Sequence, residues 1–227
     1  MSITLLELRT QARQLADMVD NNFVGDTELT NYVNFAVAEL HDILVQTGAD
    51  YFLSETTSST VSGQSDYALP ADFYKIRGVD AKLNGQNWLN LRPFNFNERN
   101  RYEDFGAWTL LGIASVRYRV MGTNIKFTPI PDSNIDYRLY YVPVATKLSA
   151  DTDTLNDVNQ YSDIVIISAA IKMLLKEESD VSMLAAEKQR LIQKIEQDAK
   201  ERDMAQPESI SDIHAENNEP YYWSTKG

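Results

Sequence analysis

The chain has 227 residues and a mass of 25.8 kDa, with 43% apolar residues, 24% charged residues and a formal net charge of −12. Such a size and composition predict a packed core in one domain that carries an insertion or an appendage, and they exclude wholesale disorder. With no cysteine and only two histidines, His41 and His214, a disulfide framework is excluded and zinc chemistry is disfavoured.

No run of about 18 uncharged apolar residues marks a membrane span, and Glu7 comes too early for a secretory signal. A soluble protein made in a cytoplasm is therefore expected, with no membrane partner.

Residues 1–50 read as a helical pair. Thr4-Leu5-Leu6-Glu7 is a capping box, with Ile3 and Leu8 at staple positions, and Leu5, Leu8, Ala12, Leu15 and Ala16 recur at helical spacing to about Met18. Asp26 before Thr27-Glu28-Leu29 predicts the start of a second helix, with Leu29, Val33, Ala36, Leu40 and Leu44 on one face and Gly48 as its stop.

Residues 51–148 change to a period of two, punctuated by Gly, Pro, Asn and Ser, and predict an inserted antiparallel β domain. Asn84-Gly85 signals a type I′ hairpin between 76–83 and 86–91, and Gly122-Thr123 a second hairpin of type II′. Val116, Tyr118 and Val120 alternate with Arg117 and Arg119. Ile125 and Phe127 flank Lys126, and Ile135, Tyr137, Leu139 and Tyr141 alternate with Asp136, Arg138 and Tyr140. A sheet with one buried and one wet face follows.

Helical spacing resumes after Asn159, and residues 149–205 are expected to complete a bundle with 1–50. Ile164 to Leu175 is apolar nearly all round, which predicts cover on most sides. After a break at Ser179-Asp180, Val181, Leu184, Ala185, Lys188, Leu191, Ile192, Ile195 and Ala199 describe a narrower stripe among charges. Residues 206–227 lack periodicity and read as an extended C-terminal tail. The expected fold class is α+β: a helical bundle from both ends of the chain, with the β domain inserted.

The charge is unevenly spread. Residues 1–69 carry 2 basic and 10 acidic residues, 70–147 carry 11 and 7, and 148–227 carry 8 and 16. Acidic ends flank a mildly basic middle, so a grip on nucleic-acid phosphates by the whole surface is disfavoured. Arg117, Arg119 and Lys126, with Arg138 on a nearby strand, form a candidate basic sheet face for an acidic partner or a neighbouring subunit. Ordinary solvation is the alternative.

Catalytic signatures are sparse. There is no Gly-rich phosphate loop, Gly-x-Ser-x-Gly elbow, His-Glu-x-x-His or EF-hand loop. Glu98 with Asp104 or Glu103 leaves open a carboxylate pair of glycosidase type, against the ordinary reading of solvated surface acids. His41 is expected on the polar flank of its helix beside Asp42, exposed or locally hydrogen-bonded. In the tail, Tyr221, Tyr222 and Trp223 behind Pro220 carry apolar surface that is costly in water, which predicts an anchor docking elsewhere. Folding back onto their own subunit is the competing reading.

Thr4-Leu5-Leu6-Glu7-Leu8-Arg9 through Gln14-Leu15-Ala16-Asp17 and Asp26-Thr27-Glu28-Leu29 to Tyr32-Val33-Asn34 resemble tailed-bacteriophage head-to-tail adaptor (connector) proteins. So do Tyr67-Ala68-Leu69-Pro70-Ala71-Asp72-Phe73-Tyr74, Tyr161 to Ala170 and Lys176-Glu177-Glu178-Ser179-Asp180-Val181, in matching order. The resemblance implies a structural virion protein at the capsid–tail junction, without cofactor or catalysis. It implies a homo-oligomeric, usually dodecameric ring that binds the portal protein, seats tail proteins of nozzle or fibre type, and lets double-stranded DNA pass without specific binding during ejection.

On that reading the acidic helical segments line the channel, with Glu187, Glu196, Asp198 and Glu201 as the channel-facing acids. Pro220, Tyr221, Tyr222 and Trp223 anchor the tail on the portal or on a neighbouring subunit. The competing functions are a tail-tube or tail-fibre attachment protein, a virion-associated cell-wall hydrolase using the carboxylate pair, and a nucleic-acid-binding packaging accessory, which the net charge disfavours.

Overall fold

The structure, a computed structural model, describes residues 2–19, 23–47, 52–82, 87–102, 116–155 and 158–200. Helix α1 (Leu5–Leu15) starts at the capping box: the Glu7 amide donates to Thr4 Oγ1 at 3.2 Å, and the Thr4 amide donates back to Glu7 Oε2 at 2.8 Å. Those bonds satisfy two otherwise orphaned amides, and the Thr4 amide and hydroxyl, both donating to Glu7 Oε2, hold the Glu7 carboxyl below its ordinary range. Helix α2 (Asp26–Gln46) begins one residue earlier than its sequence cue. Gly25 is the N-cap and Asp26 the first helical residue, where its charge meets the positive end of the helix. The predicted stop, Gly48, lies outside the described residues.

Helices α3 (Ser162–Lys176) and α4 (Ser182–Lys200) complete the bundle. Leu5, Leu8 and Ala12 of α1, Leu29, Val33, Ala36, Leu40 and Leu44 of α2 and most of α3 share one aliphatic core with Ile195 of α4. The all-round apolar character of α3 is thereby explained inside the chain, because α1, α2 and α4 all pack on it. The helix does not need a neighbouring subunit for its burial.

Two of these helices end without glycine. Asp17 follows α1 at φ 54° and Glu178 follows α3 at φ 61°, each closed by an amide reaching back five residues: Met18 to the Arg13 carbonyl at 2.9 Å and Ser179 to that of Leu174 at 3.0 Å. This left-handed stop favours Gly, tolerates Asp and is costly for Glu.

Between α2 and α3 the chain forms two four-stranded sheets packed face to face, rather than the single sheet its alternation predicts. One has the order β1 (Ser54–Ser59), β8 (Asp136–Pro143), β3 (Phe73–Ala81), β4 (Leu89–Asn90); the other runs β2 (Asp66–Ala68), β7 (Asn124–Thr128), β6 (Arg117–Met121), β5 (Arg92–Pro93). All pairings are antiparallel except β5 with β6, which is parallel.

The inward faces meet in a core rich in tyrosine. The Phe127 ring stands edge-on to Tyr137 at 5.1 Å across the sheets, and Tyr67 lies 5.6 Å from both. Gly122, at φ 61°, and Thr123 form the predicted two-residue turn between Met121 and Asn124. Strands β3 and β4 pair as expected, but the Asn84-Gly85 turn lies outside the described residues.

The chain returns to the bundle through two local devices. The Asn34 side chain of α2 bonds both backbone groups of Leu148, donating to its carbonyl at 2.9 Å and accepting from its amide at 2.8 Å. Residues 151–155 then run beside the start of α1, with the Leu5 amide on the Asp153 carbonyl and the Leu155 amide on that of Ile3. The architecture is α+β, with the helices drawn from both ends of the chain. The expected tail, 206–227, lies outside the described residues.

Candidate interaction surfaces

The bundle uses its charges internally. Arg9 pairs with Asp151 at 2.6 Å, Arg13 with Asp26 at 3.0 Å, Lys176 with Glu28 at 2.7 Å and Lys188 with Glu39 at 2.8 Å, so α1, α2, α3 and α4 are cross-linked along their rims. Bonds from Lys176 and the Tyr32 hydroxyl hold the Glu28 carboxyl below its ordinary range.

Of the four channel-facing acids expected from sequence, Glu187 is bonded by Arg190 at 2.5 Å and 2.9 Å, which depresses its pKa. Glu196 and Asp198 are exposed on α4, and Glu201 lies outside the described residues. In the sequence of Ser182–Lys200 the acids Glu187, Glu196 and Asp198 are interspersed with the bases Lys188, Arg190, Lys194 and Lys200. The acidity of the last third of the chain therefore lies mostly off this helix, in the segments around it.

The basic residues divide. Val116, just before β6, Tyr118 of β6 and Ile125 and Phe127 of β7 point into the sandwich, so the pleat turns Arg117, Arg119 and Lys126 to the outer face of one sheet. Arg119 and Lys126 are cross-strand partners, and Arg92 of β5 stands beside Arg117. The 3₁₀ segment Phe96–Tyr102 adds Arg99 and an exposed Phe96 ring, with the Arg99 and Arg119 guanidinium groups 4.8 and 5.6 Å from its centre. Among the described residues Arg99, Arg119 and Lys126 have no acidic partner. Asp66, opposite Lys126 in register, instead accepts from the Ser65 hydroxyl.

Arg138 does not belong to this face. It lies on β8 in the other sheet, paired with Asp80 at 3.2 Å and Glu55 at 3.4 Å between the rings of Trp88 and Tyr140. Its partners come from β1 and β3, far away in sequence, which is why strand alternation alone placed it with the others.

His41 also departs from expectation. It is buried, stacked on Phe52 at 4.5 Å and tilted against Tyr74 at 5.6 Å, where the bundle meets the sandwich. Burial lowers its pKa, against the raising effect of Asp42 and of the Pro143 carbonyl; Lys75 lowers it further. The Tyr74 hydroxyl bonds Asp42 at 2.7 Å, and a cavity of about 300 Å³ opens beside the ring, lined by Leu40, Phe52, Pro143 and Leu148 among others. The signal that was missing from the strand pattern was Phe52, an aromatic two residues before β1.

Glu98 is bonded by Arg101 at 3.2 Å; Glu103 and Asp104, its candidate catalytic partners, lie outside the described residues, as do His214 and the cluster Pro220, Tyr221, Tyr222 and Trp223. Among the described residues no group of three or more His, Cys, Asp or Glu side chains is placed to hold a metal, and no helix is long and apolar enough to cross a membrane. No curated protein matches the chain. A family model described as SU10 adaptor protein matches residues 3–212, a span that takes in the bundle and the whole sandwich.

Proposed function

The chain belongs to the SU10 adaptor protein family of phage head-to-tail adaptors and is a structural virion protein, and on that premise we propose that its copies form a ring beneath the portal that seats tail components and passes the genome. The family match across both the bundle and the sandwich carries this reading. Ring copies contact the portal on one side and nozzle or fibre proteins on the other. Glu196 and Asp198, with Glu187 and Glu201, border the channel, where each exposed acid sets like charge against a passing duplex at its own position, although Lys188, Arg190, Lys194 and Lys200 offset the helix as a whole. Lysine at Glu196 and Asp198 then slows genome release; unchanged ejection would remove these acids from the channel.

The family match stops before the aromatic cluster. Pro220, Tyr221, Tyr222 and Trp223 are a tail anchor on the portal or on a neighbouring copy, because three adjacent aromatics offer several kcal/mol of burial at about 25 cal/mol per Å². Mass photometry with and without portal tests the assembly: free chain is expected as monomer and portal-bound chain as a closed ring. A stable dimer indifferent to portal would overturn it. Removing residues 220–227 is expected to leave the melting temperature in place and weaken portal binding; the reverse pattern assigns the aromatics to the subunit's own core.

A further inference from the structure

The outer face of the β2-β7-β6-β5 sheet combines Arg99, Arg119 and Lys126, without an acidic partner among the described residues, with exposed apolar groups. Phe96 is 43% and Met121 41% exposed, and together with Arg99 and Lys126 they border one shallow depression, with Arg119 beside it. Arginines around an aromatic are the usual anchors of protein interfaces, whereas a surface reading only phosphates has no use for Phe96 and Met121. The chain's net charge of −12 also opposes a polyanion at long range.

A surface of complementary character exists on the same chain, at the corner between α3 and α4. Leu175 is 57% and Met183 82% exposed, and between them Glu177, Glu178 and Asp180 are exposed with no cationic partner among the described residues. Lys176, the cation of that corner, is turned away to Glu28 and to the Phe23 carbonyl and ring.

We propose that the outer sheet face of one copy receives the α3–α4 corner of the next, with Phe96 and Met121 meeting Leu175 and Met183, and Arg99, Arg119 and Lys126 meeting Glu177, Glu178 and Asp180. The two patches differ, so the contact is head-to-tail and repeats from copy to copy. Such a contact closes into a ring when the rotation per step divides a full turn. This deepens the ring reading and rests on it.

Charge reversal separates the possibilities. Full-length Arg99→Glu with Lys126→Glu, and separately Glu177→Lys with Glu178→Lys, are expected to stay folded, since all four side chains lie outside the cores; only Lys126→Glu, which faces Asp66 across the strands, lowers the melting temperature slightly. Each is expected to lower the yield of closed rings on portal, read by mass photometry, about tenfold. An equimolar mixture of the two recovers it, because each reversed patch then finds a reversed partner. Met183→Ser lowers ring yield without any change of charge.

If both reversed variants form rings alone as wild type does, or their mixture recovers nothing, the contact is wrong while the ring reading stands. Failure of the wild type itself to form a ring on portal overturns both. Retention of a duplex of about 30 base pairs at about 0.15 M salt by the wild type, lost on Arg99→Glu with Lys126→Glu, would overturn the proposal by assigning the face to DNA.

Discussion

The bundle and the sandwich are stabilised in different ways. The bundle has an aliphatic core and spends Arg9, Arg13, Lys176 and Lys188 on pairs between its own elements. The sandwich closes on Phe127, Tyr67 and Tyr137, and at one sheet face it leaves Arg99, Arg119 and Lys126 without an acidic partner among the described residues. An acidic chain can thus present a basic face, because its scarce cations are distributed by the fold and not by composition. Net charge forecasts how the chain meets a distant polyanion; local pairing decides what each surface can bind.

The largest effects come from the two cores. Phe127→Ala removes the ring that joins the sheets and is expected to cost about 3–5 kcal/mol, and Leu40→Ala in the bundle about 2–5 kcal/mol, by chemical denaturation. If bundle and sandwich unfold as one cooperative unit, either variant shifts near-UV aromatic and far-UV helical signals together. Separate transitions would show that the two regions are only loosely coupled.

Asn34→Ala tests the clamp that seats the chain on the bundle as it returns from the sandwich. It removes two bonds to Leu148 and leaves half-buried backbone groups without those partners, at an expected cost of about 1–3 kcal/mol. A cost near zero would show that water replaces the clamp.

His41 makes the junction sensitive to acid. Its folded pKa lies below the ordinary 6.5, so the unfolded chain takes up the proton first as pH falls. Stability contributed by the neutral ring is full above about 6.5 and is lost progressively below it, down to the folded pKa. Asp42, Tyr74 and Lys75 face the same ring, and Asp42 limits the loss. A melting temperature that falls between pH 7 and pH 5.5 in the wild type, and falls less in His41→Phe, is the expected result; equal slopes would remove His41 from the acid response.

The smallest effect is a gain. Glu178→Gly relieves the left-handed residue after α3 and is expected to add about 0.5–1 kcal/mol. It also removes one acid of the proposed corner, so melting temperature should rise while ring yield on portal falls. A rise in both would separate the corner from assembly.

By itself the sequence determined what depends on neighbours along the chain. The Thr4–Glu7 box, the helical spacing of 5–16 and 29–44, the Gly122-Thr123 turn and the outward register of Arg117, Arg119 and Lys126 all follow from contacts within a few residues, where capping, turn chemistry and pleat leave few alternatives. The α+β class follows from the order of those segments. Tertiary structure decided the rest, because it turns on pairings between distant segments: β8 with β1 and β3, which split one expected sheet into two and carried Arg138 to Glu55 and Asp80; Phe52 over His41; α1, α2 and α4 around α3; and Lys176 drawn to Glu28, which leaves Glu177, Glu178 and Asp180 without a cationic partner among the described residues. A side chain's type and spacing set the face it occupies, but its partner is chosen only when remote elements meet, and that choice makes a charge either a strut of the fold or a surface for another copy.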